Sequence, residues 1–129
     1  MILFHLDPRS GVPTYLQLVQ QVRHAVNLGI LEPGDQLPTV KDVVGSLAIN
    51  PNTVLKAYRE LDREGLVVAR RGVGTFVADE LPSTPPDDLK GLRASLHRWV
   101  ERARAAGLDD ENIAALVAET RAERPARVA

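Results

Sequence analysis

The chain has 129 residues, 44 % of them hydrophobic, and a formal net charge of −1. That suits one compact domain with a small appendage, excludes two large domains and argues against a polybasic arm, though the sum hides local clustering. It contains no cysteine, which excludes a disulfide framework, a thiolate zinc site and a cysteine nucleophile, and fits a reducing cytoplasm.

The opening "MILFHLDPRSG" has no basic leader, and its apolar run is broken by His5 and Asp7. No stretch approaches the roughly 20 apolar residues that span a bilayer. A soluble, unprocessed cytoplasmic chain with no membrane partner is expected. From residue 13 to 28, Tyr15, Leu18, Val19, Val22, Ala25 and Val26 follow the i, i+3, i+4, i+7 spacing of one buried helix face, and Gly29 ends the helix. "EPGDQLP" is a turn with a constrained exit. Thr39 is the expected N-cap of a short second helix over 40–47, with Asp42 in its first turn to complement the helix dipole.

"INPNTVLKAYRELDREGLV" is a third helix, with Asn50 as N-cap, Pro51 at the first helical position and Val54, Ala57, Tyr58 and Leu61 as its buried stripe. Gly65 closes it. In "LVVARRGVGTFVA" two short β-rich runs, 66–70 and 75–78, are joined through Gly72 and Gly74, a hairpin signal. "LPSTPPDD" is a proline-rich linker. Beyond it Leu89, Leu92, Leu96, Trp99, Val100 and Ala103 form a narrow stripe on a fourth helix ending before Gly107. Asp109 caps a fifth, with Ile113, Leu116 and Val117, and the charged tail frays. The fold class is therefore mainly α with a small β-hairpin: a winged helix-turn-helix domain over 1–78, a linker over 79–88 and a two-helix dimerisation region over 89–129.

Two short helices joined by a tight turn and followed by a Gly-tipped hairpin are the pattern in which the second helix of the pair enters the major groove by its N-terminal end. The first turn of such a helix offers orphan N–H groups and partial positive charge to a phosphate, and its short side chains reach base edges. Asn52 suits a bidentate contact to adenine or a phosphate, and Thr53 a phosphate or a thymine methyl. Lys56 and Arg59 continue the same face. The plainer alternative is that Asn50 and Pro51 only cap the helix, while Lys56, Arg59 and Arg63 pair with Glu60, Asp62 and Glu64 on a solvated surface. It holds best for Asn50, Pro51 and Arg63 and least for Asn52, Thr53 and Lys56. Arg70 and Arg71 beside Gly72 suit a wing that grips the backbone or enters the minor groove, against the simpler role of keeping a β-turn soluble.

The run "LGILEPGDQLPTVKDVVGSLAINPNTVLKAYRELDREGLVVARRGVGTFV" has the signatures G-x-L-x-P-G-x-x-L-P, N-x-x-T-V-x-x-A-x-x-x-L-x-x-E-G-L and G-x-G-T-F-V. With "VPTYLQL" before it, it resembles the DNA-binding domain of GntR-type bacterial transcription regulators, and the "NPNT" tip and short tail are similar to the YtrA subfamily. The resemblance implies DNA contacts from Thr39 and Lys41, from Asn50, Asn52, Thr53 and Lys56, and from Arg71 and Gly72. Lys41 and Leu55 stand where many relatives have arginine, so a fork contact becomes a point charge at one place and an apolar contact at the other. Gly45 lowers local helix stability.

The residues after the linker cannot enclose a ligand in one chain, so Leu89, Leu92, Leu96, Trp99, Val100, Ile113, Leu116 and Val117 are expected to bury against a second copy rather than fold back on the winged domain. A two-fold dimer implies an inverted-repeat operator in double-stranded DNA. The YtrA likeness implies repression of neighbouring, often transporter, genes. No cofactor or metal is expected: His5, His24 and His97 lie far apart, with no carboxylate at ligand spacing. No catalytic constellation is legible, so the protein is expected not to be an enzyme, and a small-molecule effector would have to use a crevice between two chains. The competing function is a winged-helix module that docks protein through the same helix, supported by the near-neutral charge.

Overall fold

The computed structural model describes residues 4–123, which fall into two compact units divided between Pro86 and Asp87. In the first, α1 (Thr14–Asn27) opens directly after Pro13, whose carbonyl accepts from the Leu16 and Gln17 N–H groups. Leu18, Val19, Val22, Ala25 and Val26 are its buried line, while Tyr15 lies half-buried at the end of that line. After α1 the N–H groups of Ile30 and Leu31 turn back onto the Ala25 carbonyl, satisfying the last turn.

α2 (Val40–Leu47) begins where Thr39 Oγ1 accepts from the Asp42 N–H at 3.1 Å. It stops at Ala48, whose φ of 54° and ψ of 45° are left-handed. A Cβ in that region costs about 1–2 kcal/mol. This turn leads through Ile49 to α3 (Pro51–Arg63), capped by Asn50 Oδ1, which accepts from the Asn52 N–H at 2.8 Å. Val54, Ala57, Tyr58 and Leu61 are all buried, as their spacing predicts.

The hairpin is β1 (Val67–Arg70) and β2 (Gly74–Val77), antiparallel, with Val67 opposite Val77 and Arg70 opposite Gly74. Both strands are displaced slightly from the sequence expectation. Leu66 ends α3 instead of opening the strand, because its N–H donates to the Leu61 carbonyl. The sequence also misses that β2 is flanked on both sides: Leu37 N–H donates to the Thr75 carbonyl and Val77 N–H to the Asp35 carbonyl, each at 2.8 Å. The segment read as a plain turn thus pairs with the wing.

These elements enclose one core, in which Leu18, Leu37, Val43, Val54, Leu61, Val67 and Val77 are fully buried. α1 packs chiefly on α3. Two polar ties hold the helices to one another. Tyr58 donates its hydroxyl to the Pro38 carbonyl at 2.6 Å, joining α3 to the entry of α2; burial, and to a smaller extent the charge of Asp42, pushes its phenol above the usual tyrosine range. Arg23 donates two hydrogen bonds, of 3.0 and 2.8 Å, to the Glu64 carboxylate, binding α1 to the end of α3.

The second unit is the helix pair α4 (Leu89–Ala105) and α5 (Asp110–Ala122). Asp109 Oδ1 caps α5 by accepting from the Asn112 N–H at 2.8 Å. Ala103 and Ile113 are the buried apolar residues of this unit among those described.

Candidate nucleic-acid interface

The tip of α3 and the start of α1 line one open cleft of about 400 Å³, walled by Thr14, Tyr15, Asn50, Asn52, Thr53 and Lys56. Four of these six were expected from the sequence to meet DNA; Thr14 and Tyr15 were not. They arrive because α1 packs along α3, a neighbourhood that residues 35 or more positions apart cannot signal by local pattern.

Within the cleft the side chains divide by what they have free. Asn50 Oδ1 is committed to the cap, leaving its amide N–H groups for an acceptor. The plainer reading of Asn50 is therefore met, though it leaves a donor over. Asn52 is exposed and Thr53 partly so, one step inside the first turn. Among the described residues Lys56 pairs with no carboxylate. Its ammonium lies 4.0 Å from the centroid of the Tyr15 ring, and the carboxylate one turn further on, Glu60, is held by Arg63, whose Nε donates to it at 2.9 Å. That pair raises the Arg63 pKa and lowers that of Glu60.

Arg59 is exposed further along the helix, outside the cleft lining. Thr39 and Lys41 are exposed at the start of α2; the Thr39 oxygen caps the helix, but its hydroxyl proton remains available as a donor. At the wing, Arg70 and Arg71 part company. Arg70 closes β1 with its guanidinium 4.6 Å from the Phe76 ring centroid, whereas Arg71 sits exposed in the turn. Gly72 has a φ of 74°, which lets the tip close with Val73 N–H on the Arg70 carbonyl. At Gly74 a Cβ would meet only the swinging end of the exposed Gln36 side chain, so it is the φ of 143° that calls for a glycine at the wing root. Among the described residues Lys41, Lys56, Arg59, Arg70 and Arg71 form no ion pair with a carboxylate. Behind a formal total of −1, these five cations along α2, α3 and the wing thus have no carboxylate partner among the described residues.

Two of the histidines read as unconnected do share a cleft. His5 and His24 line it with Asp7, Gln17 and Gln21. Both glutamines clasp the N-terminal segment: Gln21 exchanges hydrogen bonds with the His5 backbone, and Gln17 with that of Asp7. Among the described residues no three His, Cys, Asp or Glu side chains come together to hold a metal ion, and no helix is long and apolar enough to cross a membrane.

On the helix pair Leu92 is 58 %, Leu96 56 % and Leu116 43 % exposed, and Leu89, Trp99, Val100 and Val117 are half-buried. Leu96, Trp99 and Val117 line an apolar groove of about 250 Å³ with Thr120 and Arg121. Ile113 differs from the others: it is already buried within its own chain.

The model of the GntR family, bacterial regulatory proteins, matches residues 14–77. The chain is also 34 % identical to the HTH-type transcriptional repressor YtrA of Bacillus subtilis (strain 168), over 94 % of each. The chain belongs to the GntR family. It is a transcription regulator of winged helix-turn-helix fold, and not an enzyme. The likeness to YtrA runs on through α4 and α5, as that coverage requires. Among solved structures, a transcriptional antiterminator from Listeria monocytogenes EGD-e superposes with a TM-score of 0.59 at 30 % identity, covering 92 % of this chain and 90 % of that one. The DNA-binding domain of AraR in complex with operator ORX1 matches with a TM-score of 0.52 at 28 % identity, covering 58 % of this GntR-family chain and 93 % of the AraR chain.

Proposed function

We propose that this GntR-family protein is a homodimeric repressor that reads an inverted-repeat operator in the cytoplasm and governs neighbouring genes, transporter genes among them. The observation that carries the reading is the cleft at the tip of α3, where Asn52, Thr53 and Lys56 stand together with no carboxylate among them. Asn52 and Thr53 read base edges in the major groove, and Lys56 takes a guanine or a phosphate. Thr39, Lys41, Asn50 and Arg59 hold phosphates and set the register. Arg71, with the backbone of Gly72, grips the backbone or enters the minor groove, and Arg70 adds charge behind them. The AraR domain on its operator supports this use of the fold.

Dimerisation is carried by Leu89, Leu92, Leu96, Trp99, Val100, Leu116 and Val117, exposed or half-exposed on a helix pair. Ile113 supports that surface from within. A two-fold dimer places its α3 helices in successive major grooves, about 10 base pairs apart or a multiple of that. The test is selection of random duplex DNA by the purified protein at moderate salt, with sequencing of the retained pool. An enriched inverted repeat is expected. A pool with single half-sites refutes the dimer, and folded protein that retains no sequence refutes operator reading.

A further inference from the structure

Lysine is an awkward residue for a specific contact: its ammonium is a strongly hydrated point charge on a flexible four-carbon stem, and holding it in one place sacrifices rotamer freedom. On a helix it also has a ready competitor, the carboxylate one turn away. At Lys56 both problems are met by neighbours. Glu60, four residues on, is engaged by Nε and Nη2 of Arg63, so it does not draw the ammonium down the helix. Tyr15, brought over from α1, sets its ring 4.0 Å from the Lys56 Nζ. The ring attracts the cation by its quadrupole without neutralising it. The ammonium thus stands without a carboxylate among the lining residues of the cleft it shares with Asn52 and Thr53.

We infer that Tyr15 is a positioning residue for DNA recognition, its ring holding the Lys56 ammonium where a phosphate or a guanine edge enters the cleft. The inference rests on the operator-reading function proposed above. α1, a helix outside the helix-turn-helix pair, thereby sets the geometry of a contact made by the pair's second helix. Since the attraction comes from the ring face and not from the hydroxyl, phenylalanine serves in its place and leucine does not.

The experiment measures binding of the selected operator duplex by the full chain and by Tyr15→Phe, Tyr15→Leu, Lys56→Met and the double variant Tyr15→Leu/Lys56→Met. Tyr15→Leu is expected to weaken binding roughly 2- to 5-fold, the range of an exposed cation–π contact. Tyr15→Phe stays within about twofold, and Tyr15→Leu adds nothing once Lys56→Met is present. Equal losses from Tyr15→Leu with and without Lys56 overturn the inference, because the ring would then act through packing or a contact of its own. Tyr15 also lies against the core, so a second measurement avoids any unfolding. In the unmutated chain the Lys56 ε-methylene protons should resonate upfield under the ring current, in free protein and in the DNA complex alike. Shifts at ordinary lysine values in either state overturn the positioning role while leaving operator reading intact. Failure of the unmutated, folded chain to select any duplex overturns the functional reading and, with it, the inference.

Discussion

The winged unit and the helix pair α4–α5 use apolar residues of the same kinds to opposite effect. In the first, leucines and valines from α1, α2, α3, both strands and the Leu37 segment converge in one core with several side chains wholly excluded from water. In the second, a 17-residue helix buries Ala103 alone, and its leucines at 92 and 96 are more than half exposed. The difference is geometric. Three helices and a sheet surround a volume, while two helices share a single seam and leave their other faces open. One unit closes its own core, and the other leaves leucines open to solvent.

The largest test of that contrast sets Leu61→Ala beside Leu92→Ala. Leu61 is fully buried, so its truncation should cost about 2–5 kcal/mol in denaturant unfolding. Leu92→Ala in dilute protein should change stability by less than about 0.5 kcal/mol. Equal losses would break the comparison.

Next in size, replacing Leu96 and Trp99 together by glutamate should give monomers in sedimentation, with operator affinity lowered about 100-fold through loss of two-site binding. The winged unit of that variant should melt as before. A dimer of unchanged mass would remove the role given to α4 and α5.

Within the winged unit, Asn52→Ala should cost about 1–3 kcal/mol on the selected operator and little on random duplex, whereas Arg71→Ala should weaken both alike and flatten the salt dependence by about one unit. Equal losses on both duplexes for both variants would end the division between reading and gripping.

A smaller effect concerns Tyr58→Phe, which removes the bond to the Pro38 carbonyl and should cost about 1–2 kcal/mol at neutral pH. It also changes the alkaline limb. The folded state raises the phenol pKa, so the unmutated chain should hold its stability below the ordinary tyrosine value near 10 and lose it progressively as pH climbs above that value towards the raised one of the folded state. Tyr58→Phe should lose this part of the alkaline decline, read from urea midpoints across the range.

The smallest change is a gain: Ala48→Gly should raise stability by about 0.5 kcal/mol by removing Cβ strain from the left-handed turn. A loss there would mean that the backbone freedom of glycine in the unfolded chain outweighs the strain.

What the sequence determined by itself was most of what has its cause within a turn or two of the chain, the start of β1 at Val67 instead of Leu66 excepted. The caps at Thr39, Asn50 and Asp109, the buried stripe of α3 and the glycine-tipped wing follow from side-chain spacing and backbone preference, and they sufficed to mark Asn52, Thr53 and Lys56 as candidates. It could not separate Arg70 from Arg71, because only the register with Phe76 tells which arginine lies over the sheet. Nor could it find the pairing of Asp35–Leu37 with β2, the Arg23–Glu64 tie or the Tyr15 ring beside Lys56. Those contacts join residues from 38 to 42 positions apart. Local periodicity says which face of a helix is buried, but not what meets that face. Packing of α1 against α3 decided that, and with it the surroundings of the lysine at the recognition tip.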